Sequence, residues 1–364
     1  MVGPTLPPVP HYTAAPPTKA NLDYADLSII DLSKMDSADG RAVLASQVRD
    51  AMLTHGFFYV VNHGYSQSQG NRMFDIADVP FSGVSDEEKQ LYTGVDEETG
   101  WYHAYKLRQS WHIDAGVRDQ SEFININRDP SSQGHPEALQ PFLPELKEFA
   151  HFNHYNVLFP ILRLLALSLE LPEDAFVNIH RCNGLGEAFV RFFKYYPRSV
   201  ADEEKTKNVW LKGHTDSGTI TILWSQPVAA LQILGKDGKW YWVKHIENAL
   251  VVNAGDGMDF LTGGYYKGTI HRVIQPPPDQ RQFTRLGVFY FVMADGDVKL
   301  VPFHESPVLQ RAGIHPRCDD STAPTMLEWR RDRANAYGRS KLKPSKENGV
   351  EEEIVHGLVV KHYK

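Results

Sequence analysis

Two histidines and one aspartate are spaced to hold a single metal ion. His214 and Asp216 are separated by one residue, and His271 follows fifty-five positions after the Asp. In a strand, residues i and i+2 share a face. One extended segment, or the loop after it, can therefore aim His214 and Asp216 at a common point, and a strand from a neighbouring sheet can bring His271. Two imidazoles and one carboxylate form the ligand set of non-haem Fe(II) oxygenases, with positions left open for substrate and O₂. The same donors can bind Zn²⁺, so a zinc hydrolase stays open at this point, as does an inactive binding protein. A lone His-x-Asp is weak evidence. His112-Ile113-Asp114 repeats the spacing and reads as structural.

Composition sets bounds on the rest. At 42% hydrophobic and 23% charged residues, the chain matches ordinary soluble globular proteins. A formal net charge of −7 argues against a nucleic-acid partner. Cys182 and Cys318 cannot form a framework of bridges, which fits a reduced, cytoplasmic setting. Pro4, Pro7, Pro8 and Pro10 stand where a signal peptide needs an apolar core. The most apolar run, Val157 to Leu171, contains Pro160 and Arg163 and is too short to span a bilayer. No membrane partner is expected. Gly184-Leu185-Gly186 lacks the third glycine and the preceding strand of a dinucleotide fingerprint.

The elements that must position the triad can be read in outline. Residues 1–24 form an extended Pro-rich arm. It has no periodic apolar residues, so deleting residues 1–20 is expected to leave the fold intact. Leu27 to Leu32 reads as a strand. Ser37 caps a helix that runs to about His55, and Gly56 stops it. Phe57 to Val61 is a buried strand. A helix spans Pro144 to Leu171, and residues 84–140 carry no clear pattern. Beyond residue 186 the texture turns to short strands, such as Ala188 to Tyr196, Ile220 to Trp224 and Leu286 to Met293. A hairpin signal lies at Gly235-Lys236-Asp237-Gly238. Residues 323 to 337 read as a helix. The pattern is mainly β with flanking helices, the mark of a sandwich or jelly roll.

The motifs around the triad carry a resemblance. They are His214 to Leu223, Ala230-Leu231-Gln232-Ile233, Val251-Val252-Asn253-Ala254-Gly255-Asp256 and Thr269-Ile270-His271-Arg272-Val273. Ile29-Ile30-Asp31-Leu32 and Gly56 to Gly64 precede them. In order and spacing this text resembles the isopenicillin-N-synthase-like branch of the Fe(II)/2-oxoglutarate-dependent dioxygenases, over roughly residues 27–300. The resemblance implies a double-stranded β-helix (jelly-roll) core at 181–300 and an N-terminal module of helices and strands at 25–180. Residues 301–364 are expected to form a helical extension. The resemblance also implies Fe(II) held by His214, Asp216 and His271, with 2-oxoglutarate and O₂ as cosubstrates.

Relatives usually hold the far carboxylate of 2-oxoglutarate with an Arg-x-Ser motif, here Arg285-Leu286-Gly287. Gly287 replaces the Ser, and Arg281 is a rival for the role. The family's Asn-x-Tyr motif stands here as Lys194-Tyr195-Tyr196, which makes Tyr196 and Lys194 the expected cosubstrate contacts. A 2-oxoacid-independent oxidase is the alternative. The small organic substrate, a secondary metabolite by analogy, is expected to meet Tyr102, Tyr105, Arg191, Phe193, Trp224, Phe291 and the C-terminal helix near Trp329. His63 is expected to be structural.

Overall fold

The computed structural model describes residues 6–94, 104–181, 188–337, 342–347 and 349–364. In chain order its first strands are β1 (Ile29–Asp31), β2 (Phe57–Val61), β3 (Tyr105–Lys106), β4 (His112–Asp114), β5 (Val117–Arg118) and β6 (Ser121–Asn127). The barrel strands follow: β7 (Phe189–Tyr195), β8 (Val209–His214), β9 (Ile220–Trp224), β10 (Leu231–Leu234), β11 (Trp240–Trp242), β12 (Leu250–Ala254), β13 (His271–Ile274) and β14 (Arg285–Val292). Three more close the chain: β15 (Lys343–Pro344), β16 (Val350–Val355) and β17 (Leu358–Tyr363). They form an eight-stranded sheet, β1-β2-β12-β9-β14-β7-β6-β3, and a seven-stranded sheet, β11-β10-β13-β8-β17-β16-β15. The expected jelly-roll core is this pair of sheets, and a cavity lined from both lies between them.

Strand alternation divides the large sheet into two faces. In β9, Ile220, Ile222 and Trp224 pack into the main core under the helices, while Thr221 and Leu223 face the cavity. Each fully buried Ile or Val here contributes about 1.5–3 kcal/mol. Helices Ala38–Thr54, Gln67–Ser82 and Leu143–Phe152 cover the outer face. The first is capped by Ser37, whose hydroxyl accepts from Gly40 N at 3.0 Å, as the sequence predicts. After it Gly56 takes φ +65°.

The predicted helix over 144–171 is two helices, Leu143–Phe152 and Phe159–Ser168, joined by a π-helical turn at Asn153–Leu158. Asn153 explains the turn. Its amide donates to Phe149 O at 2.8 Å and accepts from Trp224 Nε1 at 3.1 Å, tying the helix to β9. Pro160 falls in the first turn of the second helix, where its missing N–H costs least.

Two expectations need correction. Residues 301–364 are not a helical extension throughout. Helices Pro307–Ala312 and Met326–Ala336 are followed by the β16–β17 hairpin. Its two-residue turn, His356-Gly357, has φ of 49° and 75°, the left-handed pair that favours hairpin closure. β17 then pairs with β8 at Tyr363↔Gly213. Lys364 O accepts from Arg272 Nη1 at 3.0 Å.

The Pro-rich arm is extended, but it is strapped to the body. Pro7 O accepts from Arg72 at 2.8 Å, and Tyr12 N donates to Asp75 at 2.8 Å. Pro16 O accepts from Gln280 at 2.7 Å, and Lys19 N donates to Asp279 at 2.8 Å. Proline removes main-chain donors but leaves carbonyls, and the body's side chains use them. Among the described residues, no helix is long and apolar enough to cross a membrane.

Candidate active site

β8 ends at His214 and β13 begins at His271, and the two residues are register partners. Their rings lie 4.5 Å apart between centroids. Asp216 comes from the loop just after β8. Its Oδ1 lies 3.9 Å from His214 Nε2 and 3.7 Å from His271 Nε2. Both spans are within twice a metal–ligand bond of about 2.1 Å, so one ion can touch all three atoms. Among the described residues this is the one cluster of His, Cys, Asp or Glu so placed.

Each donor is held in a binding orientation. His214 Nδ1 donates to Lys212 O at 2.8 Å and His271 Nδ1 donates to Thr269 O at 3.1 Å. A carbonyl can only accept, so both rings carry their proton on Nδ1 and offer a bare Nε2. Burial, then the neighbouring His271, keeps the His214 imidazole well below its ordinary pKa and neutral. Burial alone would raise the Asp216 carboxyl. Hydrogen bonds to the carboxylate oppose that penalty, and the group stays below its ordinary range. Those bonds come from Thr221 Oγ1 at 2.7 Å and Asn253 Nδ2 at 2.9 Å, both to Oδ2, which leaves Oδ1 for the metal.

The Asn253-Ala254-Gly255-Asp256 motif therefore supports the ligands. Gly255 is needed for close approach, since a Cβ there would meet Gly218 O at 2.4 Å and Asp216 O at 2.7 Å. Asp256 N donates to Asp216 O at 2.7 Å. Its carboxylate accepts from Thr215 Oγ1 at 2.8 Å and faces Arg333 at 3.3 Å.

Farther along the cavity, Arg285 of β14 stands opposite Tyr195 of β7. The guanidinium carbon is 5.7 Å from the Tyr195 ring centroid. Arg285 is 2% exposed, and its Nε and Nη1 have no hydrogen-bond partner among the described residues. A buried guanidinium left unmatched is costly. It fits a carboxylate ligand that would accept two parallel N–H bonds. Arg281 is exposed on the loop before β14 and does not reach the cavity.

Tyr196 and Lys194 are not at the site. The parity of β7 sends Phe189, Arg191, Phe193 and Tyr195 to the cavity. Lys194 turns outward to Asp78 at 2.6 Å, and the Tyr196 hydroxyl donates to Glu122. Tyr195, not Tyr196, faces the cavity. Gly287 also faces Tyr195's side of the strand pair, and a Cβ on it would come 2.6 Å from the Phe289 ring. Where relatives carry a Ser, this chain thus has an aromatic edge.

Of the expected substrate contacts, Arg191, Phe193 and Phe291 line the cavity. Tyr105 does not: it is core, its hydroxyl donating to Pro80 O at 3.0 Å. Trp224 is on the helix side of β9, for the same parity reason. Trp329 is fully buried against Phe260. Tyr102 lies outside the described residues. His63 is structural, bound to Asn248 O at 2.9 Å. The helix Met326–Ala336 does close the cavity, through Arg330, Arg333 and Ala334, with Tyr337 just beyond. The Tyr337 ring lies 5.7 Å from that of His214. That face repeats at i, i+3, i+4 and i+7, a helical spacing readable in the sequence.

Comparison with known proteins agrees with this geometry. The family description "2OG-Fe(II) oxygenase superfamily" matches residues 187–294. The description "non-haem dioxygenase in morphine synthesis N-terminal" matches residues 27–145. Protein DMR6-LIKE OXYGENASE 1 of Arabidopsis thaliana is 30% identical over 284 residues, covering 77% of this chain and 76% of its own. A 2-oxoglutarate-Fe(II) type oxidoreductase of Emericella nidulans is 27% identical over 349 residues, covering 89% and 95%. A full-length Neurospora crassa protein crystallised with alpha-KG shares the fold at a TM-score of 0.74 and 19% identity, covering 89% of this chain and 100% of that one. JOX2, crystallised with 2OG, Fe and JA, gives 0.64 at 24% identity, covering 85% and 86%. The chain belongs to the 2OG-Fe(II) oxygenase superfamily. It is a dioxygenase that uses Fe(II) and 2-oxoglutarate.

Proposed function

We propose that His214, Asp216 and His271 hold the iron and that Arg285 with Tyr195 holds the far carboxylate of 2-oxoglutarate. The observation that carries the second assignment is the buried Arg285 guanidinium with two unmatched nitrogens facing the cavity. It also favours a 2-oxoacid-dependent enzyme over an oxidase that needs none. Bound together, iron and 2-oxoglutarate supply the oxidising power, as O₂ is consumed and the cosubstrate is decarboxylated to succinate.

The chain's residues do the rest. Asn253 and Thr221 keep the Asp216 carboxylate turned. Lys212 and Thr269 carbonyls fix the two imidazoles. Phe189, Phe193, Phe289 and Phe291 line the space between and exclude water from the reacting centre. The substrate we propose is a secondary metabolite, oxidised in the cytosol. The description of the N-terminal match names morphine synthesis, and Cys318 is a free thiol.

The test is a mass-spectrometric screen of metabolite extracts with Fe(II), 2-oxoglutarate and O₂. The expected result is succinate formation together with a product that has gained one oxygen or lost two hydrogens. Turnover with Zn²⁺ in the absence of O₂ would instead mark a hydrolase and overturn the reading.

A further inference from the structure

The loop that carries Asp216 is held from the far end of the chain. Arg333, on the helix Met326–Ala336, reaches Thr215, the residue between His214 and Asp216. Its Nη2 donates to Thr215 O at 2.9 Å. Through Nε the same guanidinium faces Asp256 Oδ2 at 3.3 Å. Asp256 in turn accepts from Thr215 Oγ1 at 2.8 Å and donates through its N to Asp216 O at 2.7 Å. A second guanidinium, that of Arg317, lies 3.2 Å from Asp256 Oδ1. Thr215 thus has its carbonyl and its hydroxyl both fastened. The backbone between the two ligands cannot turn without breaking a charge-assisted bond.

The C-terminal hairpin aims Arg333. Nη1 faces Glu353 Oε1 of β16 at 3.7 Å, and His362 Nε2 of β17 donates to that same oxygen at 2.9 Å. Glu353 pairs with Val360, so His362 stands diagonally across from it on one face of the hairpin. Arg333, Asp256, Glu353 and His362 are all buried. A guanidinium is a planar fork of donors, and here its edges are shared between a carbonyl of the metal loop and two carboxylates. Loss of one member of a buried pair is felt strongly by the other. Tyr337, one turn beyond Arg333, adds a second contact between hairpin and ligand. Its ring lies 5.7 Å from that of His214 and 5.8 Å from that of His362.

We propose that Arg333 is a positioning residue for the metal loop, and that Glu353 and His362 of the C-terminal hairpin act on the metal through it. The proposal rests on the triad holding the metal and adds to that site a support drawn from residues 326–364.

The test is equilibrium binding of Co(II) to the full chain, followed through the visible spectrum of the bound ion. Co(II) suits the same donors and reports on them without turnover. Arg333→Gln should weaken binding about 10–100-fold, the range for groups that orient metal ligands, and should change the spectrum. Arg333→Lys should recover part of the loss, because the charge facing Asp256 survives while the fork does not. Glu353→Gln alters no ligand and no residue of the metal loop, yet should weaken binding roughly threefold or more. The double variant should bind no more weakly than Arg333→Gln alone, since Glu353 acts through Arg333. Ile354→Ser, exposed on the same hairpin, is the control and should match wild type. A purely structural Arg333 would lower the melting temperature of the metal-free protein and leave affinity and spectrum unmoved. If Arg333→Gln does not fold, Glu353→Gln against Ile354→Ser decides alone. Wild-type affinity in Arg333→Gln or in Glu353→Gln, or losses that add in the double variant, would overturn the proposal. A wild-type chain that binds no Co(II), or binds it as well after His214→Ala, would overturn the triad itself, and this proposal with it.

Discussion

Replacing Arg285 with Met keeps most of the side-chain volume and removes the charge. The structure predicts two opposite effects. In the absence of 2-oxoglutarate, the wild-type protein carries a buried guanidinium with Nε and Nη1 unmatched. Arg285→Met should therefore be at least as stable as wild type. With 2-oxoglutarate the order reverses. Loss of a charge-assisted pair costs about 2–5 kcal/mol, or roughly 30-fold to several-thousand-fold in affinity. At a ligand concentration a hundred times its wild-type Kd, binding stabilises the wild type by about 2.7 kcal/mol. A 30-fold loss leaves about 0.9 kcal/mol at the same concentration. For 364 residues at roughly 2.1 cal/mol/K each, that is a ligand-induced rise in Tm of about 3.5 °C against about 1 °C. The assay is thermal unfolding with and without 2-oxoglutarate, alongside succinate formation against its concentration. Arg281→Ala, on the exposed loop, is the control and should match wild type. An unchanged half-saturation in Arg285→Met would refute the reasoning, and a large rise in Arg281→Ala would move the site.

Asn253→Ala frees one side of Asp216 and should weaken iron binding about 10–100-fold, while His214→Ala, Asp216→Ala or His271→Ala should abolish Fe(II)-dependent turnover in a folded protein. Metal titration and circular dichroism check both, and full activity in any ligand variant would sink the triad. Burial, then Asp256, raises the Asp259 carboxyl to about 6 despite Arg317. A raised carboxyl pKa favours the folded state while protonated, so this stability is present below pH 4 and lost as pH rises towards 6. Asp259→Asn should gain about 3 kcal/mol at pH 7.5 and only about 0.5 kcal/mol at pH 4, and equal shifts at both pH values would contradict this. Removing residues 1–20 should cost roughly 2–4 kcal/mol from lost hydrogen bonds, or about 3–5 °C in Tm. An unchanged melting temperature would show the arm to be energetically idle.

The triad was legible because its chemistry is rare and its spacing short. The succession of short strands along the chain was legible from alternation and turns. What misled was parity. Arg191 and Phe193 share one face of β7, and period two makes Tyr195 their companion, not Tyr196 or Lys194. Arg191 and Tyr196, five residues apart, cannot share one face of a regular strand. Trp224 failed for the same reason, one position from Leu223. The pairing Arg285↔Tyr195 settles which face is inward, and such a long-range register is not written in any one segment. The C-terminal hairpin was missed because Glu351, Glu352 and Glu353 mask its alternation. His356-Gly357 was the available signal. The strapped arm was missed because its partners, Asp75 and Asp279, are distant in sequence and bond to its backbone.

The pairing of β17 with β8 has a consequence for biogenesis. The ligand strand β8 lies between β13 and β17, and its outer neighbour comes from residues 358–363. On the ribosome His214 emerges long before that neighbour. Until it arrives, β8 presents a bare edge, the kind of template that recruits foreign strands. Contacts between residues so far apart in sequence also form slowly. The metal pocket should therefore mature only once residues 358–363 are available to pair, and a chain cut before them should bind iron more weakly than the full chain. A tag fused after Lys364 would sit beside Arg272, one residue from His271, whereas one fused before residue 6 would not.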